Sequence, residues 1–180
     1  MTAVLAVVAS PSAAGRTTMA VRTVLAGAQD AGADVELLEL ATTSTDDALA
    51  AIDTADAIVF GSPVYRAGHT ALLRSLLEFT QRGMYGETSA PLRGKATAIV
   101  MTGASGHHYL APDGLRSVLA TFFAAQVLSP ALYFDGGSFT PDKTLTEAAT
   151  SLAATHGVAL VEFAAAIRSS KVLSTMEPLV

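Results

Sequence analysis

Apolar residues along the chain follow two rhythms. Short continuous runs rich in Val, Ile, Leu and Ala recur at Ala3 to Ala9, Asp34 to Leu40, Ala57 to Phe60, Lys95 to Thr102 and Val127 to Tyr133. Strands buried on both faces read this way, as in parallel sheets. Between the runs, apolar positions return with helical spacing over Thr17 to Ala31, Asp46 to Ala55, His69 to Arg82, Pro112 to Gln126 and about Thr144 to Arg168. Ser44 and Asp47 have the spacing of a capping box, with Asp in place of the usual Glu or Gln.

Strand and helix alternate throughout, which implies right-handed crossovers and a parallel sheet covered on both sides. The predicted architecture is a three-layer α/β sandwich with a five-stranded parallel sheet of order 2-1-3-4-5. In that order strands 1, 3 and 4 end beside the switch point, so the loops after Ala9, Phe60 and Thr102 converge on one cleft. Gly61-Ser62-Pro63 is read as the break that ends the third strand. Residues 1–180 read as one domain, with 169–180 as a loosely held tail. The stretch Gly83 to Gly94, with Met84, Tyr85 and Pro91, exceeds a tight turn and reads as a surface excursion, a lid or a subunit contact. The helix after Asp113 carries Leu115, Val118, Leu119, Phe122 and Phe123, an apolar face suited to a subunit contact or to the core.

Composition narrows the classes of partner. The 180 residues are 51% hydrophobic and 15% charged, enough for one substantial core. A net charge of -5 without a Lys/Arg stripe argues against nucleic acid. No cysteine is present, so disulfides, thiolate nucleophiles and Cys-ligated metals are excluded and any redox chemistry must come from a cofactor. The apolar N-terminus has no Lys or Arg before Arg16, unlike a secretory signal. No apolar run is read as a membrane span, and the expected location is the cytoplasm.

Each of the three loops offers a distinct chemistry. After the first strand, Ser10-Pro-Ser-Ala-Ala-Gly-Arg-Thr-Thr18 combines hydroxyls, a guanidinium and a glycine at a helix start. Ser10, Ser12, Arg16, Thr17, Thr18 and the local amides suit a phosphate monoester; an ordinary Ser/Thr-rich cap with a solvated arginine reads the same way. The second loop, Gly61 to Arg66, supplies a fixed-φ proline and a tyrosine to line a flat ring. The third, Thr102-Gly-Ala-Ser-Gly-His-His108, is built of small residues that let a planar ligand approach the main chain.

Other templates fail. No G-x-G-x-x-G follows the first strand, Gly94-Lys95-Ala96 lacks the spacing and hydroxyl of a P-loop, and neither G-x-S-x-G nor H-E-x-x-H occurs. Adjacent His107 and His108 would face opposite ways on extended backbone, a poor metal pair. Asp135 before two glycines reads as a turn residue. No metal site and no general acid or base is assigned.

With these residues in view, the chain resembles the NADPH-dependent FMN reductases of the flavodoxin-like fold, in particular the reductase components paired with flavin-dependent monooxygenases. Ser10-Pro11 with Arg16-Thr17-Thr18 resembles the family's phosphate loop. Pro63 to Glu78 resembles its P-V-Y-x-x-x-x-[ST]-G-x-L-K-x-x-L-D signature, and Thr102-Gly103-Ala104 its T-G-G turn, with Leu115-Arg116 where an L-R or L-K pair follows. Gly15 stands where the family commonly has serine, and Ala71 and Ala104 where it has glycine. The resemblance implies FMN phosphate at Ser10, Ser12, Arg16, Thr17 and Thr18. It implies the isoalloxazine against Pro63, Val64, Tyr65 and Arg66 and against Thr102, Gly103, Ala104 and Ser105, with NADPH or NADH as hydride donor. Arg66 or Arg74 would meet the nicotinamide cofactor's phosphates.

The function so implied is an NAD(P)H-dependent FMN reductase that passes reduced flavin by diffusion to a monooxygenase, in a homodimer or homotetramer. Alternatives on the same fold are an FMN-retaining quinone or azo reductase, a one-electron carrier and a catalytically silent binding protein.

Overall fold

The structure, a computed structural model, describes residues 1–178. In chain order the elements are β1 (Ala3–Val8), α1 (Arg16–Asp30), β2 (Asp34–Glu39), α2 (Thr45–Thr54), β3 (Ala57–Pro63) and α3 (Ala71–Phe79). They continue with β4 (Ala96–Thr102), α4 (Pro112–Ser117), β5 (Gln126–Val127), β6 (Leu132–Phe134), α5 (Glu147–Ser169) and α6 (Lys171–Ser174). All strand pairs are parallel, in the order β2-β1-β3-β4-β5, with β6 also on β4. The expected flavodoxin-like order is present, extended by a sixth strand at the edge.

Strand alternation sorts the core into two layers. Val4, Ala6, Val8 and Val59 face α1 and α5, while Leu5, Val7, Ile58 and Phe60 face the layer of α2, α3 and α4. Lys95, the residue before β4, donates through Nζ to the carbonyls of Ile52 and Asp53 at 2.7 Å, satisfying the C-terminal end of α2. Ser44 caps the other end of α2, accepting from the Asp47 amide at 3.1 Å.

The α1–α5 contact is made at backbone distance. A Cβ on Gly27 would overlap the Ala154 main chain, and one on Gly157 would overlap the Val24 carbonyl. Ala149, Ala153, Gly157, Leu160, Ala164 and Ile167 form the buried stripe of α5 at helical spacing. By length and composition α5 reaches that of a membrane span, with 23 residues and a hydropathy of 1.4, although no such segment was expected. In this fold its buried stripe is a core face.

Several boundaries differ from the sequence expectation. Strand β3 does not end at Phe60: Gly61, Ser62 and Pro63 continue in register with Val100, Met101 and Thr102. Pro63 is the last strand residue, where a missing N–H costs no ladder bond. The expected strand Val127 to Tyr133 is two strands. β5 pairs with Ala96 and Thr97, and β6 with Val100 to Thr102. Pro130 lies between them, in a cis Ser129–Pro130 segment without an N–H to offer. Helix α3 is shorter than His69 to Arg82: Thr70 caps its start, and it ends at Phe79, where Thr80 turns to extended backbone. The helix expected to run to Gln126 is α4 followed by a π-helical turn at Val118–Phe122.

The stretch 83–94 is pinned near both ends: Glu87 Oε2 accepts from the Arg82 amide at 2.7 Å, and Pro91 and Leu92 are buried. The expected tail at 169–180 includes α6, and Glu177 pairs with Arg93 at 3.1 Å; Leu179 and Val180 lie outside the described residues.

The helix contact predicts a contrast between two glycines. Gly157→Ala should destabilise the fold by about 1–3 kcal/mol through overpacking. Gly114→Ala, in a helix with open space at the Cβ position, should stabilise it by roughly 0.5–1 kcal/mol. Urea unfolding of both variants checks this, and equal midpoints would refute the close helix contact.

Candidate active site at the carboxyl edge of the sheet

Parallel register brings the ends of β1, β3 and β4 together, and buried hydroxyls join the loops that leave them. Thr17 Oγ1 and Thr102 Oγ1 are hydrogen-bonded at 2.7 Å, linking the first loop to the third. Thr70 Oγ1 donates to the Ala9 carbonyl at 2.7 Å, and the Thr70 amide donates to Ser62 Oγ at 3.0 Å. The Val64 amide donates to the Thr102 carbonyl at 2.8 Å. The three sequence-predicted loops therefore share one edge of the sheet.

Within the first loop, the predicted phosphate residues divide into two sets. Ser10 Oγ accepts from the Ser12 amide at 3.2 Å and donates to the Ser12 carbonyl at 2.9 Å, so it shapes the turn. Thr18 Oγ1 points to Glu39 at the end of β2, at 3.2 Å, and Thr17 is committed to Thr102. Ser12 and Arg16 are exposed. Gly15 caps α1 without a side-chain bond, and no acid stands in the first turn. The Arg16 guanidinium lies over the Phe139 ring, 5.3 Å from its centroid.

The second loop is a two-residue hairpin. Tyr65 and Gly68 exchange backbone bonds of 2.9 and 3.1 Å across Arg66 and Ala67, whose φ angles are 52° and 63°. Such turns normally carry Asn or Gly, and each left-handed non-glycine residue costs roughly 1–2 kcal/mol. Pro63 and Val64 are half-buried at its base, and Tyr65 and Arg66 are exposed at its tip. In the third loop Ala104 is exposed, Gly103 and Ser105 are half-buried, and Ser105 Oγ lies 3.2 Å from His107 Nδ1. His107 and His108 sit on a 3-10 turn rather than on extended backbone.

Three residues of the site, Glu39, Tyr133 and Phe139, escaped the sequence reading, whereas Thr70 lies within the Pro63 to Glu78 signature. Thr70 had a local signal, a threonine before an apolar helical run. Glu39, Tyr133 and Phe139 had none, because each acts across the sheet edge on a residue distant in sequence.

Residues 2–138, which include all three loops, match the description "NADPH-dependent FMN reductase". The chain belongs to this FMN reductase family. The NADH-dependent FMN reductase SfnF of Pseudomonas putida is 37% identical over 85 residues, 47% of this chain and 42% of that protein. The alignment thus spans less than half of that relative. Among solved structures, the apo form of the NADH:FMN oxidoreductase EMOB superposes with a TM-score of 0.78 over 97% of this chain and 94% of that one, at 21% identity. A flavodoxin from the Archaea gives 0.66 over 92% and 99%, at 17% identity. These two structures share the fold.

For an FMN reductase the edge must take a phosphate and a planar ring, and the residues present fit both. The α1 terminus, which lacks a side-chain cap bond, offers with the exposed Ser12 and Arg16 a donor set for an anion. The Pro63–Arg66 and Thr102–Ser105 segments leave the ends of the adjoining strands β3 and β4 and bring small side chains at Gly103 and Ala104.

Beside the hairpin lies a cleft of about 500 Å³, lined by His69, Arg74, Leu77, Phe122 and Phe123 among others. Burial, then the Arg74 charge, lowers the His69 pKa from its ordinary 6.5. The fold favours neutral His69, so its contribution to stability is full above pH 6.5 and is lost as pH falls from there through the lower folded value. NMR titration should find His69 below 6.5, with Arg74→Ala raising it; an unmoved midpoint would rule out the Arg74 contribution.

Proposed function

We propose that the protein is an NAD(P)H-dependent FMN reductase that supplies reduced FMN to a flavin-dependent monooxygenase. The observation that carries the reading is the convergence of three family-matched loops on one sheet edge, joined by the Thr17–Thr102 and Thr70–Ala9 bonds. A bound flavin supplies the acceptor for a nicotinamide's hydride. The chain's own task is then positional. Ser12, Arg16 and the first amides of α1 hold the phosphate, with Ser10, Thr17 and Thr18 shaping the loop. Pro63, Val64, Tyr65 and Arg66 form one wall for the ring, and Thr102, Gly103, Ala104 and Ser105 form the other. No side chain is required to move a proton. Arg66, exposed at the hairpin tip, is the candidate contact for the phosphates of NADPH or NADH.

We further propose a cytoplasmic homodimer or homotetramer. Leu115, Leu119 and Phe123 belong to the core, so the apolar face noted after Asp113 is only partly available. What remains outside is Phe122, with Phe79 on α3 and Tyr85 on the 83–94 stretch, all exposed. This is the surface offered to a second copy.

Steady-state oxidation of NADPH and NADH, with and without added FMN, tests the function. FMN-dependent turnover by a dialysed, colourless protein is expected; a protein that stays yellow would favour the flavin-retaining quinone or azo reductase. Arg16→Ala should raise the KM for FMN about tenfold, the loss of one charge-assisted hydrogen bond. Phe122→Glu should shift the sedimentation coefficient towards the monomer, and an unchanged value would exclude this face as the subunit contact.

A further inference from the structure

We propose that Tyr133 is a positioning residue for the flavin-facing third loop, and that Gly103 is the position that makes room for it. The inference rests on the FMN-binding reading above and deepens it. Strand β6 pairs with the end of β4, Thr102 opposite Phe134, and the Gly103 amide extends that ladder by donating to the Phe134 carbonyl at 2.9 Å. Beyond Gly103 the loop leaves the ladder. Tyr133 spans the gap: its hydroxyl passes the bare Cα of Gly103 and donates to the Ser105 carbonyl at 2.6 Å.

Steric fit makes the pair interdependent. A Cβ at Gly103 would overlap the Tyr133 hydroxyl and approach Cζ at 2.8 Å and Cε2 at 3.1 Å. Any larger residue at 103 therefore expels the ring or moves the loop. The donor is also held in its donating form, since burial and the Asp135 carboxylate raise Tyr133 above its ordinary pKa of 10.0.

The same short segment touches the loop again and reaches the phosphate side. A Cβ at Gly136 would lie 3.0 Å from the Ala104 carbonyl, and Asp135 Oδ1 accepts from the Ser138 amide at 3.1 Å, setting the turn that leads to Phe139. Phe139 in turn lies beneath Arg16. Residues 133–139 thus back both the ring loop and the phosphate loop. Turning the Ser105 carbonyl inward points a negative dipole at Tyr133, leaving small side chains and backbone for the ring wall.

Tyr133→Phe and Gly103→Ala should each weaken FMN binding by roughly five- to tenfold, the effect of one lost hydrogen bond. Titration of flavin fluorescence reads this. The double variant should lose less than the product of the two, because both act on one contact. At saturating FMN, visible circular dichroism of the bound flavin should change in both variants. A merely structural role would move thermal stability without moving that spectrum. Wild-type affinity within twofold and an unchanged spectrum in Gly103→Ala would overturn the proposal, even if Tyr133→Phe failed to fold. Absence of FMN binding by the wild-type protein would instead overturn the functional reading on which it rests.

Discussion

Burying hydroxyls at the carboxyl edge of a parallel sheet obliges each of them to find a partner, and the arrangement of the three loops follows from that requirement. Ser10, Ser62, Thr17, Thr70 and Thr102 are all buried there. An unpaired buried polar group costs roughly 1–3 kcal/mol, so five of them left unmatched would rival the net stability of a domain. They are matched by one another and by the carbonyls of Ser12, Pro63 and Ala9. Among the described residues no buried side-chain nitrogen or oxygen lacks a partner. Loops that would otherwise be free are thereby held in one geometry, with their remaining donors turned outward.

This accounts for a division within the first loop. A serine and threonine count suggests several phosphate hydroxyls, but Thr17 and Thr18 hold the loop to β4 and β2, and Ser10 shapes its own turn. What stays outward is Ser12, Arg16 and the start of α1, a smaller set with a formal positive charge. Left-handed backbone occurs in both loops, at Ala14 in the first and at Arg66 and Ala67 on the exposed tip of the second. The fold tolerates that cost in the second because the hairpin's base is fixed by Thr70 and by the Val64–Thr102 bond.

Most of the layer structure was legible in the chain. The strand runs, helical stretches and order 2-1-3-4-5 appear close to where the apolar pattern puts them, because two-sided burial leaves a strong local imprint. The misplacements have local causes. Gly61-Ser62-Pro63 looks like a break, yet a central strand can carry a glycine where α1 packs close and a proline at its last residue. Gly61 is such a place, with Val21 and Thr17 pressed against it. The split between β5 and β6 is centred on Pro130, which the apolar run around it conceals.

Alternation of apolar runs was enough to give the fold class, and the clustering of small and hydroxylated residues after three strands was enough to single out one sheet edge as the candidate ligand site. Those are properties of local pattern, and they survive in a one-dimensional record. Which hydroxyl bonds to which, that Tyr133 lies against Gly103, and that Phe139 supports Arg16 were decided only by tertiary structure. The Thr17–Thr102, Tyr133–Ser105 and Arg16–Phe139 contacts join residues 28 or more positions apart, and such a contact leaves no period or motif in the sequence.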